Sequence, residues 1–237
     1  MAIKQIIQED KIFNISYDIL NPEATNTIVF LHGWGSNKEI MKQAFNKQLK
    51  QYKHIYIDMP GFGGSSNEYI LTTNNYANII KCFLETINII PTKSIIVGHS
   101  FGGKVATLLN PLKLVLLSSA GIVEDKSAKT LLTIRMAKVF NKCGLGKVTK
   151  LLRSNDVDEM SENMYETFKN VVDEDFSNSF KSYLGEALLF WGDKDTATTL
   201  SSGYVIKDLI KKSQIKVYDG DHYFFLKNAK DIADGIL

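Results

Sequence analysis

Hydrophobic residues in this chain gather into short unbroken runs, and the stretches between several of them carry apolar residues at helical spacing. Thr27–Leu31 and residues 94–97, 112–117 and 186–191 are runs of the kind that suits strands buried on both faces. Residues 54–58 and 214–218 read as two further strands, and residues 12–20 alternate apolar and polar as an edge hairpin strand does. Residues 38–51 read as a helix, and residues 73–89 carry Tyr76, Ile79, Ile80, Phe83, Leu84 and Ile87 at helical spacing. Strands alternating with helices predict an α/β fold with a mostly parallel, doubly wound sheet.

The alternation stops between residues 122 and 184, where no strand pattern appears. Helices are expected there at 127–143, 147–153, 159–172 and 176–184, with Gly144-Leu145-Gly146 breaking the first two apart. The prediction is a core built from residues 1–121 and 185–237 with a helical cap, 122–184, inserted between two strands. Apolar cap positions such as Leu132, Met136, Phe140, Met164 and Phe168 must serve internal packing and pocket lining together. Of these, Met136, Phe140 and Met164 are taken, with Trp34 and Phe101, as the expected pocket lining.

The candidate chemistry sits at the ends of the runs. Gly98-His99-Ser100-Phe101-Gly102 follows one strand and opens a helix-compatible stretch. A strand that turns sharply into a helix strains its middle residue, needs glycine on both sides, and projects the serine Oγ clear of the sheet. The helix N-terminus also aims the Phe101 amide at any oxyanion formed when Ser100 attacks a carbonyl. Thr27–Leu31 runs into His32-Gly33-Trp34-Gly35, where the Trp34 amide is the expected second oxyanion donor and His32 a structural hydrogen-bonding residue. The strand ending at Trp191 leads into Gly192-Asp193-Lys194-Asp195, with Asp195 preferred over Asp193 as the acid and Asp193 shaping the turn. Of the four histidines only His222 follows that acid, giving the order Ser100, Asp195, His222.

Together with Asp58-Met59-Pro60-Gly61-Phe62-Gly63-Gly64-Ser65 and Gly220-Asp221-His222, these motifs make the chain resemble the α/β-hydrolase superfamily of serine-triad type over essentially its whole length. The glycines after Asp58 do not form a dinucleotide fingerprint, because Ser66 stands where that motif needs Gly or Ala and the ribose-binding acid is missing. The resemblance implies a serine carboxylesterase that works through an acyl-enzyme without metal or organic cofactor. It also implies that the glycines after Asp58 form a wide turn beside the pocket. Within the superfamily the chain is similar to pimeloyl-acyl-carrier-protein methyl ester esterases, differing from them in having His99 and Phe101 around the serine. A carbon–carbon bond hydrolase with the same triad, and a ligand-binding protein on a hydrolase scaffold, are the other readings.

Composition narrows the partners. A chain of 237 residues, 44% hydrophobic and 23% charged, buries a full α/β core as one enzyme domain. A net charge of +2 argues for no nucleic acid, and no run reaches the ~18–20 apolar residues of a membrane span. Cys82 and Cys143 read as free thiols in a cytoplasmic protein whose first residues lack a signal-peptide pattern. The expected cap is polarised. Residues 122–153 carry Lys126, Lys129, Arg135, Lys138, Lys142, Lys147, Lys150 and Arg153 against Glu124 and Asp125, whereas 154–178 carry eight acids against Lys169. That pattern fits two solvated faces that attract each other, or a docking face for an acidic partner such as an acyl-carrier protein beside the small ester itself.

Overall fold

The computed structural model describes residues 2–123 and 160–237. Eight strands form one sheet in the order β1-β2-β4-β3-β5-β6-β7-β8. They are β1 (Ala2–Gln8), β2 (Lys11–Leu20), β3 (Thr27–Leu31), β4 (Lys53–Ile57), β5 (Ile95–His99), β6 (Lys113–Leu117), β7 (Glu186–Gly192) and β8 (Ser213–Tyr218). β1 and β2, and β2 and β4, pair antiparallel; every later neighbour is parallel. Helices α1 (Lys38–Phe45), α2 (Thr73–Thr86), α3 (Phe101–Leu108), α4 (Glu162–Val172), α5 (Ser177–Ser182), α6 (Leu200–Leu209) and α7 (Phe225–Ile236) connect them.

The two faces of the sheet build two apolar layers, because successive strand residues point to opposite sides. On β3, Val29 and Leu31 join the layer covered by α2, α3 and α6, whereas Ile28 and Phe30 join the layer covered by α1 and α7. The runs are therefore apolar throughout rather than alternating, and the doubly wound architecture predicted from them is the one observed. It carries the ends of β3, β5, β7 and β8 to one edge, where loops can meet.

Several boundaries depart from the sequence reading. The outer strand is β1, and β2 lies inside it, paired on both sides. Their hairpin turns through Glu9 and Asp10, both at positive φ (50° and 60°), without the glycine or asparagine that normally marks such a turn. α1 stops at Phe45 instead of 51, and Leu49, at a left-handed φ of 48°, lies in the turn between it and β4. α2 stops at Thr86 instead of 89, with Asn88 in the left-handed conformation that closes helices. Between β6 and β7, α4 and α5 fall within two of the four helices expected there. The expected helices at 127–143 and 147–153, together with Leu132, Met136, Phe140 and Cys143, lie outside the described residues. Cys82 is a free, half-buried thiol. No helix among the described residues is long and apolar enough to cross a membrane.

Candidate active site

Ser100 joins β5 to α3 with φ 50° and ψ −117°, a conformation that L-residues rarely adopt. Its surroundings force the turn to be this tight. A Cβ on Gly98 would collide with the Gly102 carbonyl, and one on Gly102 would come within 2.5 Å of the Leu31 carbonyl oxygen. The backbone of Ser100 is pinned on both sides of the elbow: its amide donates to Leu117 at 3.1 Å and its carbonyl accepts from Ala120 at 3.1 Å. The side chain makes no cap bond to the helix that follows. As the first residue of α3, Phe101 has no preceding helical turn to receive its amide.

The loop after β3 is held by its histidine. His32 is fully buried; its Nδ1 donates to the Gly33 carbonyl at 2.8 Å and its Nε2 accepts from the Met59 amide at 3.0 Å. Burial above all lowers its pKa to about 4, which matches a ring that must be neutral to accept at Nε2. Gripping the Gly33 oxygen turns the N–H of Trp34, on the same trans peptide, the opposite way. The indole packs against Phe62, Phe101 and Phe168 at 4.9, 5.5 and 5.4 Å between centroids, with its Nε1 buried and unpartnered. Met164 stands against Gly61, its Cε 2.5 Å from where a Cβ would be. Of the residues expected to line the pocket, Trp34 and Phe101 share one aromatic wall with Phe62 and Phe168, Met164 stands against Gly61 next to Phe62 in the chain, and Met136 and Phe140 lie outside the described residues.

Behind that wall the loop after β4 is anchored from below. Asp58 pairs with the buried Nζ of Lys38 at 2.7 Å and accepts the amides of Lys38 and Gly64 at 2.7 and 3.0 Å. Burial works to raise the Asp58 carboxyl, yet these contacts hold it below its ordinary value. The glycine-rich stretch is therefore a fixed turn whose Phe62 leans on Trp34.

Asp195 and His222 come from the ends of β7 and β8. His222 Nδ1 lies 2.7 Å from Asp195 Oδ2, and the carboxylate side chain is inaccessible to solvent. The other oxygen, Oδ1, accepts the amides of Ala197 and Thr198 at 2.8 and 3.0 Å. Burial works to raise this carboxyl, but the His222 bond, the Thr198 amide and the charge of the imidazole outweigh it and hold it at about 2. Asp193 instead accepts the Gly220 amide at 3.0 Å and braces the turn that presents His222. The remaining histidines face inward: His54 bonds Tyr56 Oη and the Leu49 carbonyl, and His99 packs its ring 4.5 Å from that of His222.

Two contributors escaped the sequence reading. Thr198 Oγ1 is 3.0 Å from Asp195 Oδ2 and 3.4 Å from His222 Nδ1, and its amide completes the carboxylate's shell. Its only signal was a hydroxyl residue three positions after an aspartate, which is common in turns. Lys104, inside α3, is buried to 1% exposure and reaches Glu174 and the Val171 carbonyl; nothing in its spacing marks it from a surface lysine. Among the described residues no cluster of His, Cys, Asp and Glu is arranged to hold a metal.

The sequence profile of the alpha/beta hydrolase family matches residues 28–234. Over 157 residues, 66% of this chain and 50% of the other, the chain is 27% identical to a pimeloyl-[acyl-carrier protein] methyl ester esterase of Pseudoalteromonas atlantica. Over 80 residues, 34% of this chain and 27% of the other, it is 36% identical to the protein of the same name from Shewanella oneidensis. The matches thus span half or less of these curated relatives. Among solved structures, the esterase from Exiguobacterium antarcticum superposes with a TM-score of 0.76 at 19% identity, covering 98% of this chain and 97% of that one. A bacterial membrane phospholipase A superposes with a TM-score of 0.76 at 18% identity, covering 99% and 84%. At these identities the structures speak for the fold alone.

Proposed function

The chain belongs to the alpha/beta hydrolase family, and from that membership and the geometry around Ser100 we propose that it is a serine hydrolase that cleaves carboxylic esters through an acyl-enzyme. The observation that carries the reading is the buried 2.7 Å contact between His222 Nδ1 and Asp195 Oδ2. A carboxyl held at about 2 is ionised at neutral pH, so the proton of the pair sits on Nδ1. In the neutral ring that leaves Nε2 of His222 as the bare acceptor, the tautomer a general base needs.

In the proposed reaction Ser100 Oγ attacks the ester carbonyl carbon while His222 Nε2 takes the hydroxyl proton. The amides of Trp34 and Phe101 hold the oxyanion, supplying donors that need no rearrangement when charge develops. The tetrahedral intermediate collapses as the imidazolium returns its proton to the leaving alkoxide oxygen, and the alcohol departs. Water, deprotonated by His222, then attacks the acyl carbonyl and releases the acid and Ser100. Asp195 stays ionised and stabilises the imidazolium in both steps.

The substrate in this reading carries a small to medium acyl group against the wall of Trp34, Phe62, Phe101, Met164 and Phe168, roofed by a cap spanning 122–184. An acyl-carrier protein is its carrier, a reading supported by the names of the relatives and by the basic residues from Lys126 to Arg153. Fluorophosphonate treatment should place one adduct on Ser100 by mass spectrometry, and Ser100→Ala should remove nearly all turnover of short p-nitrophenyl esters. Labelling elsewhere, or turnover surviving in Ser100→Ala, would overturn the reading. For the carrier, kcat/KM on a carrier-linked ester should fall steeply with salt while a neutral small ester barely responds, because steering is screened beyond about 10 Å at 0.1 M.

A further inference from the structure

Three loops converge on one side chain that the reaction above does not use. His99 is 1% exposed, and its Nε2 donates to the backbone carbonyl of His222 at 3.0 Å. On the other side of the ring, Nδ1 lies 3.0 Å from the point where a Cβ on Gly33 would stand, and the Cβ of Ser100 lies 3.2 Å from that same point. The imidazole is thus wedged between the loop carrying Trp34 and the loop carrying His222, and it is covalently next to Ser100. Tyr223 and Phe225 close the remaining sides at 5.3 and 4.8 Å between centroids.

The protonation of this ring follows from its contacts. A carbonyl can only accept, so Nε2 carries the hydrogen and Nδ1 is a bare acceptor; that acceptor is buried with no partner. An orphaned acceptor is a cost that an apolar ring of similar size would avoid. What the imidazole supplies, and an apolar ring cannot, is the Nε2–H bond to His222. Its neutrality also matters, because a second cation 4.5 Å from the His222 ring would oppose the imidazolium that forms there. Burial first, and then His222 itself, lower its pKa to about 3 and keep it uncharged.

Asp195 grips only the ring of His222 and so sets its rotation, not the position of its backbone. We propose that His99 is a positioning residue that sets the placement of His222, and of the Gly33–Trp34 peptide, about Ser100, through its Nε2–H bond to the His222 carbonyl and its ring against Gly33. The inference rests on the serine-hydrolase reading above.

The test compares His99→Gln, His99→Asn and His99→Leu in the full chain, with p-nitrophenyl acetate as the probe substrate and thermal unfolding as the check on folding. Glutamine places an amide N–H near the position of Nε2, asparagine is too short to reach it, and leucine offers none. His99→Leu and His99→Asn should lower kcat by roughly 10–100-fold with KM within about twofold, the size expected when a base is misplaced by an ångström. His99→Gln should recover about tenfold of that loss, and its rate of fluorophosphonate labelling at Ser100 should recover in parallel. Equal kcat for the glutamine and asparagine variants, both folded, would overturn the proposal even if leucine fails to fold. An unlabelled wild-type Ser100 would overturn this proposal together with the hydrolase reading. Labelling of Ser100 with no kcat effect in any variant overturns the proposal alone.

Discussion

Lys104 Nζ stands 2.9 Å from Glu174 Oε2, and this contact ties the helix that begins at the elbow to the segment that follows α4. The ammonium also donates to the Val171 carbonyl at 2.7 Å and lies 4.8 Å above the Phe176 ring, while the Thr73 hydroxyl donates to the same carboxylate oxygen at 2.5 Å. Three elements of the fold therefore share one ion pair. Lys104 is 1% exposed and Glu174 28%, so the two partners do not lose the same amount of hydration.

That asymmetry predicts the outcome of breaking the pair. Glu174→Ala leaves a buried ammonium with one carbonyl and one ring, and it should destabilise the fold toward the lower end of the ~3–5 kcal/mol seen when one partner of a buried pair is removed, since Glu174 is partly hydrated. Lys104→Met in the same background should recover most of the loss. Urea unfolding of the single and double variants measures both, and an unchanged midpoint for Glu174→Ala would show that Val171 and Phe176 suffice to hold the lysine.

The acid position can be tested by kinetics. Asp195→Asn removes the charge that keeps the proton on His222 Nδ1, and kcat on p-nitrophenyl esters should drop by about 10⁴-fold, as a triad aspartate replaced by asparagine does elsewhere. Asp193→Asn loses only a brace on the Gly220 amide and should cost far less. The reverse ranking would reassign the acid.

The strand runs, the tight turn at Ser100, and the sheet edge to which the ends of β3, β5, β7 and β8 are carried were legible from residues, because each rests on local chemistry. A buried run is apolar, a tight elbow needs Gly98 and Gly102, and loops that follow parallel strands emerge on one side. What stayed hidden rests on tertiary context. β1 is hidden because its two-residue turn, Glu9-Asp10 at positive φ, lacks the glycine that announces a tight hairpin. The helix α7 is the exception: its buried stripe of Phe225, Ala229, Ile232, Ala233 and Ile236 stands at helical spacing in the sequence and needs no tertiary context to be legible. Lys104 and His99 carry polar groups that composition assigns to the surface or to a turn; only the packing of other elements against them makes them interior.

Buried neutral histidines give the fold a pH dependence with a fixed sign. His32 and His99 are brought down to about 4 and about 3, whereas in an unfolded chain both titrate near 6.5. Below pH 6.5 the unfolded state therefore binds more protons than the folded one, and stability falls as pH falls. The loss should run at roughly 1.4 kcal/mol per pH unit for each imidazole until the folded state protonates as well. His54, also lowered by burial, acts in the same direction. Urea unfolding between pH 7 and pH 5 should show this slope, and His32→Asn should remove one imidazole's share of it. A slope unchanged in that variant would mean that His32 titrates alike in both states.

Ser100 holds a strained backbone at the turn from β5 into α3. At φ 50° and ψ −117° a side chain costs roughly 1–3 kcal/mol, and glycine carries no such penalty there, although it gives back roughly 0.5–1 kcal/mol through its greater freedom in the unfolded chain. Ser100→Gly and Ser100→Ala should both be inactive, but they should part in stability. Alanine keeps the strained Cβ and glycine sheds it, so the glycine variant should be the more stable by about 1 kcal/mol, or about 2–4 °C in Tm for a chain of this size. Calorimetry on the two variants isolates the backbone, because both lack the hydroxyl. A glycine variant no more stable than the alanine one would mean that the pinned Ser100 amide and carbonyl, rather than strain at its Cβ, fix the energy of the elbow.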